Sequence, residues 1–501
     1  MGFFNKQNQL PKTQNQAEEA LRLLQEITGR NRRSSMQKRM DYYYDKQLAY
    51  LENALNTQFS YPERMKLQKE ISNITKMIID EQGIIYNEEP VREIIEGTAK
   101  DVETYEQIVK DSGLNLIMQQ VNKFVKLFKT VAVRPVWRDN GIQYDIYTPN
   151  IYDVFQDPLD TTKAEAFVWG NVIDLNNEIS INNDDVRGER DPWDDKNNLF
   201  YYMDKEHFIV FSLRFDVKSK KFIANVEMND DNIENINPYN EITFVTMRDG
   251  IPVDNYFLEG GDELVNTNEI INVKITENNY LTKMQSFSIP VRKGADDNSG
   301  VIIFDPSTTI DLPADDDVSR NADFKFVSPE AKIEEMENVV NNKIKALAVK
   351  NGLSPERFTT SAQKSSAEAL QLRAWDQAKI VKGDKPYYAR YEQELFEKTK
   401  IVWNYHNDKD QISETAKLFI DYKEIETPMT VEERDTHNII LYTNGLLSKK
   451  SWLMKENPDI KSEEQADQML EEISKQKKDD LAEQVQLPET NPPLEAENDE
   501  E

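Results

Sequence analysis

The side chains able to do chemistry are few and widely spaced. The three histidines are His207, His406 and His437, too far apart for the short ligand spacings of a zinc site. His207 sits in a strand-like run, where a surface or hydrogen-bonded imidazole is the reading. Acidic runs occur at Asp184-Asp185, Asp194-Asp195 and Asp315 to Asp317. Such carboxylates serve divalent-cation nucleases and calcium loops. Here they lie among Gly, Asn and Pro, where solvated turns are the default, and the Asp194 run lacks the alternating ligands of an EF-hand loop. Gly294 to Gly300 has a suggestive glycine spacing, but no Lys-Ser/Thr follows to make a phosphate loop. No G-x-S-x-G or H-E-x-x-H motif occurs. With no cysteine, disulfides and thiolate metal sites are excluded, and a reducing compartment is expected. The reading is therefore a non-enzyme, with no catalytic residue, cofactor or metal. A basic cluster at Arg30, Arg32, Arg33, Lys38 and Arg39 leaves two readings open: contact with nucleic acid or an acidic partner, or a solvated helix start.

The chain that must position these groups has 501 residues, which predicts roughly three domains or one large elaborated fold. Apolar residues make up 38% and charged residues 30%, fitting a multi-lobed shape better than a sphere. The net charge of −30 argues against a protein that grips DNA on a basic outer face. It suits the wall of a channel in which phosphates must slide, although on charge alone simple solubility is the favoured reading. The first residues lack the charged and apolar regions of a signal peptide. Lys6 stands where myristoylation requires Ser or Thr. No apolar run reaches the roughly 18 residues of a membrane span, so no membrane association is expected.

A polar stretch carries one helix around Ala17 to Ile27. Helical sequence follows from Met40 to Lys129, interrupted at Tyr61-Pro62 and Gly113. From Thr130 the pattern turns to strands, with Asn140-Gly141 as a hairpin signal. Further strands are expected at Ala166 to Val172, Phe200 to Met203, Phe208 to Phe215, Phe222 to Met228 and Ile242 to Met247. Asp262 to Met284 reads as a helix, followed by short strands at Gly300 to Phe304, Ile310 to Leu312 and Phe324 to Val327. Ser328-Pro329-Glu330 opens a second helix with apolar residues at Ile333, Met336, Val340, Ile344 and Leu347, ended by Asn351-Gly352. Ser365-Ser366-Ala367-Glu368 has capping-box spacing for a long helix that Gly383 to Pro386 breaks or kinks. Leu418 to Tyr422 is a strand candidate. Helices from Val431, Ser448 and Ser462 precede a tail that from Asp479 has acidic but no basic residues and is expected to be disordered.

Certain phrases, in this order, resemble the portal proteins of tailed bacteriophages. They are Val133-Arg134-Pro135-Val136-Trp137 before a hairpin, Tyr147-Thr148-Pro149 with Asp153-Val154, and Asn278-Asn279-Tyr280-Leu281 running into Ser286 to Pro290. Phe326-Val327-Ser328-Pro329, Ser365 to Leu370, Gly445 to Lys449 and Asn457-Pro458-Asp459 follow. The resemblance covers about Met40 to Lys475 and implies an α+β fold that is mostly helical. On it, the chain divides into an N-terminal arm (1–39), a wing that is helical and then β-rich (40–261), a first stem helix (262–285), a clip (286–327), a second stem helix (328–352), a tunnel loop (353–365), a long kinked helix with a wing return strand (366–425), a crown (426–475) and an acidic tail (476–501).

The family's properties would make this chain a subunit of a homo-oligomeric ring, typically a dodecamer, at one capsid vertex of a virion assembled in the host cytoplasm. Double-stranded DNA would pass through the ring on packaging and ejection. Partners would be the terminase large subunit, a head-completion adaptor, the major capsid protein and a scaffolding protein. By position, Lys332, Lys343, Lys345 and Lys350 on the second stem helix, and Thr359, Thr360, Ser361, Gln363 and Lys364 in the tunnel loop, would meet DNA. The alternatives are another phage head–tail or baseplate protein, or a metal-dependent nuclease using the Asp runs.

Overall fold

The computed structural model describes residues 6–170, 199–216, 221–227, 235–285, 289–293, 323–327, 333–358, 367–423, 431–457, 460 and 462–485. The fold is α+β. The chain forms two compact units, one of residues 1–364 and 372–426 and a second of residues 365–371 and 427–501.

The first unit opens with two helices, α1 (Lys6–Gln25) and α2 (Ile27–Tyr43). The reading of 1–39 as an arm is corrected here, because α1 is a packed element. Ala17, Ala20, Leu21 and Leu24 recur at steps of three and four and are buried against a five-stranded antiparallel sheet. That sheet runs β4 (Tyr152–Gln156), β5 (Ala164–Gly170), β6 (Leu199–Met203), β7 (Phe208–Asp216), β8 (Lys221–Val226) in spatial order. Alternation along β5 divides its side chains between two cores. Ala166 and Val168 face the cluster that α1 covers, while Phe167 and Trp169 face an aromatic cluster with Tyr152, Phe244 and Tyr256. Phe167 stacks on Phe244 with ring centroids 4.1 Å apart.

A three-stranded sheet of β2 (Thr130–Arg138), β3 (Gly141–Tyr147) and β9 (Val245–Arg248) has β2 at its centre. Pro135 is tolerated in a central strand because β9 pairs only with Thr130 to Val133, so the missing N–H faces no partner strand. The β2–β3 hairpin forms as predicted, but its turn lies one residue earlier than the Asn-Gly signal suggested. Arg138 pairs with Gly141, and the two central residues with positive φ are Asp139 (51°) and Asn140 (60°). Asp tolerates the left-handed region well enough to take the first position.

The expected helical run from Met40 to Lys129 is broken more often than the sequence suggested. It contains α3 (Leu48–Gln58), the single turn α4 (Tyr61–Arg64), α5 (Ile74–Gln82), α6 (Ala99–Ser112) and α7 (Leu114–Phe128). It also holds a strand, β1 (Val91–Ile95), which pairs antiparallel with β12 (Lys417–Asp421). Gly113 separates α6 from α7 as expected, at φ 64°, where a side chain would be strained.

Helix α8 (Asp262–Gln285) leads into the two-stranded ladder of β10 (Ile289–Lys293) and β11 (Asp323–Val327), and α9 (Ile333–Lys350) returns beside α8. On α9, Val340, Ile344 and Leu347 are buried. Gly352 ends this stretch at φ 76°, in keeping with the predicted cap. The predicted strands at 300–304 and 310–312 and the Ser328 and Ser365 caps lie outside the described residues. The face of α8 toward α5 and its leading loop is polar. Asn268 accepts from the Thr75 N–H and hydroxyl, Asn272 accepts from the Ser72 N–H, and the Asn272 amide donates to Gln47 at 2.7 Å.

Helix α10 (Ala367–His406) is continuous through Pro386, so of the expected break or kink no break occurs there. Proline removes the hydrogen bond to the carbonyl of Lys382. Lys382 and Pro386 both lie on the exposed face, so water can satisfy that carbonyl without interrupting the helix. The opposite face, with Val381, Tyr388, Tyr391, Leu395 and Phe396, is buried in the main core.

The second unit contains α11 (Val431–Thr443), α12 (Lys449–Glu456) and α13 (Glu463–Val485). Ser448 caps α12 as read from the sequence, accepting from the Ser451 N–H. Lys450 pairs with Asp467 at 2.8 Å, tying α12 to α13. The disorder expected from Asp479 is corrected in its first part, because α13 runs on to Val485. Acid–base spacings such as Glu471 to Lys475 and Lys475 to Asp479 favour helix through this stretch, and no helix breaker occurs before Pro488.

Candidate functional site

Six of the nine residues expected to meet DNA, Lys332, Thr359, Thr360, Ser361, Gln363 and Lys364, lie outside the described residues. The other three are on α9. Lys343 and Lys345 are half-buried and have no carboxylate partner among the described residues. Lys350 is exposed and ion-paired to Glu263 at the start of α8. Lys343 and Lys345 flank the buried stripe of Val340, Ile344, Leu347 and Ala348.

The acidic runs at 184–185, 194–195 and 315–317 also lie outside the described residues. Among the described residues, no group of three or more acidic or histidine side chains is placed to hold a metal ion. His207 lies beside Asp204, with Nδ1 3.2 Å from a carboxylate oxygen, a hydrogen-bonded surface histidine as read. His406 stacks on Trp137 at 4.8 Å, and burial lowers its pKa. His437 is a single imidazole on α11.

The basic cluster fits neither of its two readings, because most of it is turned inward and paired within the chain. Arg33 is 1% exposed and donates to Asp153 at 2.6 Å. Arg32 also pairs with Asp153 at 2.9 Å and lies 3.5 Å over the Phe257 ring. Arg39, also 1% exposed, donates to the carbonyls of Leu127 and Gly260 and pairs with Asp262. Lys38 pairs with Glu269 at 2.6 Å. Burial pulls the Arg33 guanidinium down to about 10, with Asp153 opposing the fall. The cluster borders a cleft of 780 Å³ lined by Gly29, Arg32, Ser35, Arg39, Asp153 and Phe257 among others. Four carboxylates (Glu26, Asp153, Glu259, Asp262) and two arginines line it, so it is not a surface for phosphates.

Two charged networks hold α10 against the body. In one, Glu392 is fully buried, accepts from Nε and Nη2 of Arg92 at 2.7 Å each, and accepts from the Tyr86 hydroxyl at 2.8 Å. Burial works against the Arg92 charge, but Glu392 outweighs it and holds the guanidinium above its usual value. Burial also raises the Tyr86 phenol, so that hydroxyl stays protonated as the donor.

In the other network, Lys126 donates to Asp249 at 2.7 Å and to Asp384 at 2.8 Å, and Lys129 donates to Asp249 at 2.7 Å. Burial opposes the Asp249 charge, yet Lys129 and Lys126 prevail and hold its carboxyl below the usual range. Burial raises the Asp384 carboxyl, and Lys126 offsets only part of that. Asp249 therefore stabilises the fold above a pH of about 4, and this contribution is lost as pH falls through its lowered value. Asp384 has the opposite sign, its burial cost being relieved on acidification. Asp249→Asn is expected to cost about 2–4 kcal/mol at neutral pH, and Asp384→Asn within about 1 kcal/mol, because Lys126 keeps Asp249 in the second case. Urea unfolding at several pH values checks this. The deficit of the Asp249→Asn protein should shrink as pH falls below about 4.

No protein-family model and no curated protein matches the chain. Among solved structures, it is similar to a chain of the virion of a native gene transfer agent particle, at 8% identity and a TM-score of 0.41, over 75% of this chain and 87% of that one. It is also similar to a chain from the neck of an empty gene transfer agent particle computed with sixfold symmetry. That match has 9% identity and a TM-score of 0.43, over 76% of this chain and 88% of the other.

Proposed function

We propose that this chain is the ring-forming portal subunit of a tailed phage or phage-like particle, a conduit for double-stranded DNA at one capsid vertex. The observation that carries the reading is the order of elements between residues 262 and 350. Helix α8, which packs against α2, α3 and α5, is followed by the two-stranded ladder β10–β11, and α9 lies beside α8. A helix–ladder–helix unit set between a β-rich lobe and a long helix is the order that the sequence resemblance implies for stem, clip, stem and tunnel loop. The net charge of −30 suits a wall along which phosphates slide. In this reading the subunit binds its own copies, DNA, the terminase large subunit, a head-completion adaptor, the capsid protein and scaffold.

Electron microscopy of the purified chain tests the proposal. A ring with a central hole is expected, of about 700 kDa if twelve 58.4 kDa chains assemble. A monomer that cleaves DNA with magnesium would overturn it. Within this reading Lys343, Lys345 and residues 359–364 contact DNA through its backbone without reading sequence. Deleting Thr359 to Gln363 should reduce the amount of DNA packaged or retained per particle. Normal packaging and retention would remove the loop from the mechanism.

A further inference from the structure

Three asparagines in the chain are followed by glycine, at Asn140-Gly141, Asn351-Gly352 and Asn444-Gly445. The pair has a chemistry of its own. Glycine has no side chain to shield its backbone nitrogen, and the preceding carboxamide carbon is a single ring closure away from it. The structure treats the three steps differently. The Asn351 amide donates to the carbonyl of Leu347 at 2.8 Å, and the Gly352 N–H donates to that of Val349 at 3.0 Å. The Asn444 amide donates to Ile440 at 3.0 Å, and the Gly445 N–H donates to Tyr442 at 3.1 Å. In both, the last turn of a helix holds electrophile and nucleophile in place. Asn140 is exposed, at φ 60° in the turn between β2 and β3, and its side chain has no hydrogen bond among the described residues. The space beside Gly141 is open.

We propose that Asn140 is a site of covalent modification, deamidated to aspartate and isoaspartate ahead of the other two steps. The Gly141 nitrogen gives its proton to solvent and attacks the Asn140 carboxamide carbon. The bond from that carbon to the side-chain nitrogen breaks, and ammonia leaves with a proton taken from solvent. Water then opens the cyclic imide. Opening at the side-chain carbonyl gives aspartate, and opening at the backbone carbonyl gives isoaspartate. Overall, water is consumed and ammonia released, with no change of oxidation state. Arg138 and Gly141 are the closing pair of the hairpin, so attack needs only that end of the ladder to fray, which costs far less than global unfolding. Either product adds a carboxylate next to Asp139, and isoaspartate also lengthens the backbone inside the turn. At Asp249-Gly250 the same cyclisation is suppressed, because the ionised Asp249 carboxylate, held by Lys126 and Lys129, is a poor electrophile.

Peptide mapping by mass spectrometry tests this on the full-length chain, aged at neutral and at mildly alkaline pH beside a urea-unfolded sample. All three asparagines convert in the unfolded chain. In the folded chain Asn140 converts first, and faster at the higher pH, while Asn351 and Asn444 lag. Gly141→Ala isolates the chemistry. The added methyl group meets no neighbouring atom and the backbone there is not left-handed, so the hairpin is kept. The shielded nitrogen should then lose most of the conversion at Asn140. Conversion at Asn351 or Asn444 as fast as at Asn140 overturns the proposal. So does an Asn140 that stays intact in the folded chain while the unfolded chain converts, or undiminished conversion in Gly141→Ala.

Discussion

Replacing Glu392 with Ala is expected to destabilise the first unit by about 3–5 kcal/mol. The substitution removes the carboxylate that pairs with Arg92 among the described residues, and the Arg92 side chain is 7% exposed. It also deprives the Tyr86 hydroxyl of its acceptor, leaving that group only the Tyr422 hydroxyl at 3.1 Å. The cost comes mainly from the stranded charge, since a buried ion pair by itself adds little net stability. A double variant that also replaces Arg92 with an apolar residue, such as Arg92→Met with Glu392→Leu, should therefore recover much of the loss. Urea midpoints of the single and double variants form the test. If the double variant is as unstable as Glu392→Ala alone, stranded charge is not the cause.

Arg33→Met should cost the β lobe about 3 kcal/mol or more, by leaving Asp153 buried with only the more exposed Arg32 beside it. The guanidinium also donates to the carbonyl of Leu24 at the end of α1, so the loss falls on the α1–α2 junction. Amide hydrogen exchange is the sensitive measure, since it resolves local opening. Protection in α1 and along β4 and β5 should fall, while α6, α7 and the buried part of α10 keep theirs. Equal loss throughout would show that Arg33 supports global stability instead of a local latch.

These two networks also show where the sequence was legible. Elements whose signals are local were read well. The Gly113 and Gly352 punctuation, the Ser448 cap, the apolar stripe of α9 and the hairpin after Trp137 each depend on neighbours within about a turn. Misreadings came where the deciding partner is remote. The strand Val91–Ile95 carries too little pattern in five residues, and its pairing partner is the strand Lys417–Asp421. The basic cluster looked like a surface because Asp153 and Asp262 lie 120 and 223 residues from the arginines they bind. The break expected at Pro386 depended on which face of the helix the proline occupies, and Tyr388 and Tyr391 decide that by entering the core. The predicted DNA contacts followed from family resemblance and position, and only Lys343, Lys345 and Lys350 could be placed on a helix face.

The packing of α1 on the five-stranded sheet has a consequence for biosynthesis. Gln14 donates to the carbonyl of Ala224, a contact spanning 210 residues. At roughly 5–20 residues per second, α1 leaves the ribosome about 10–40 seconds before the last strand it covers. Through that interval its apolar stripe has no docking surface, and the sheet face closes only when the amino terminus returns. The nascent chain therefore exposes Ala17, Leu21 and Leu24 until β8 has emerged, and this segment is the natural place for a chaperone to hold it.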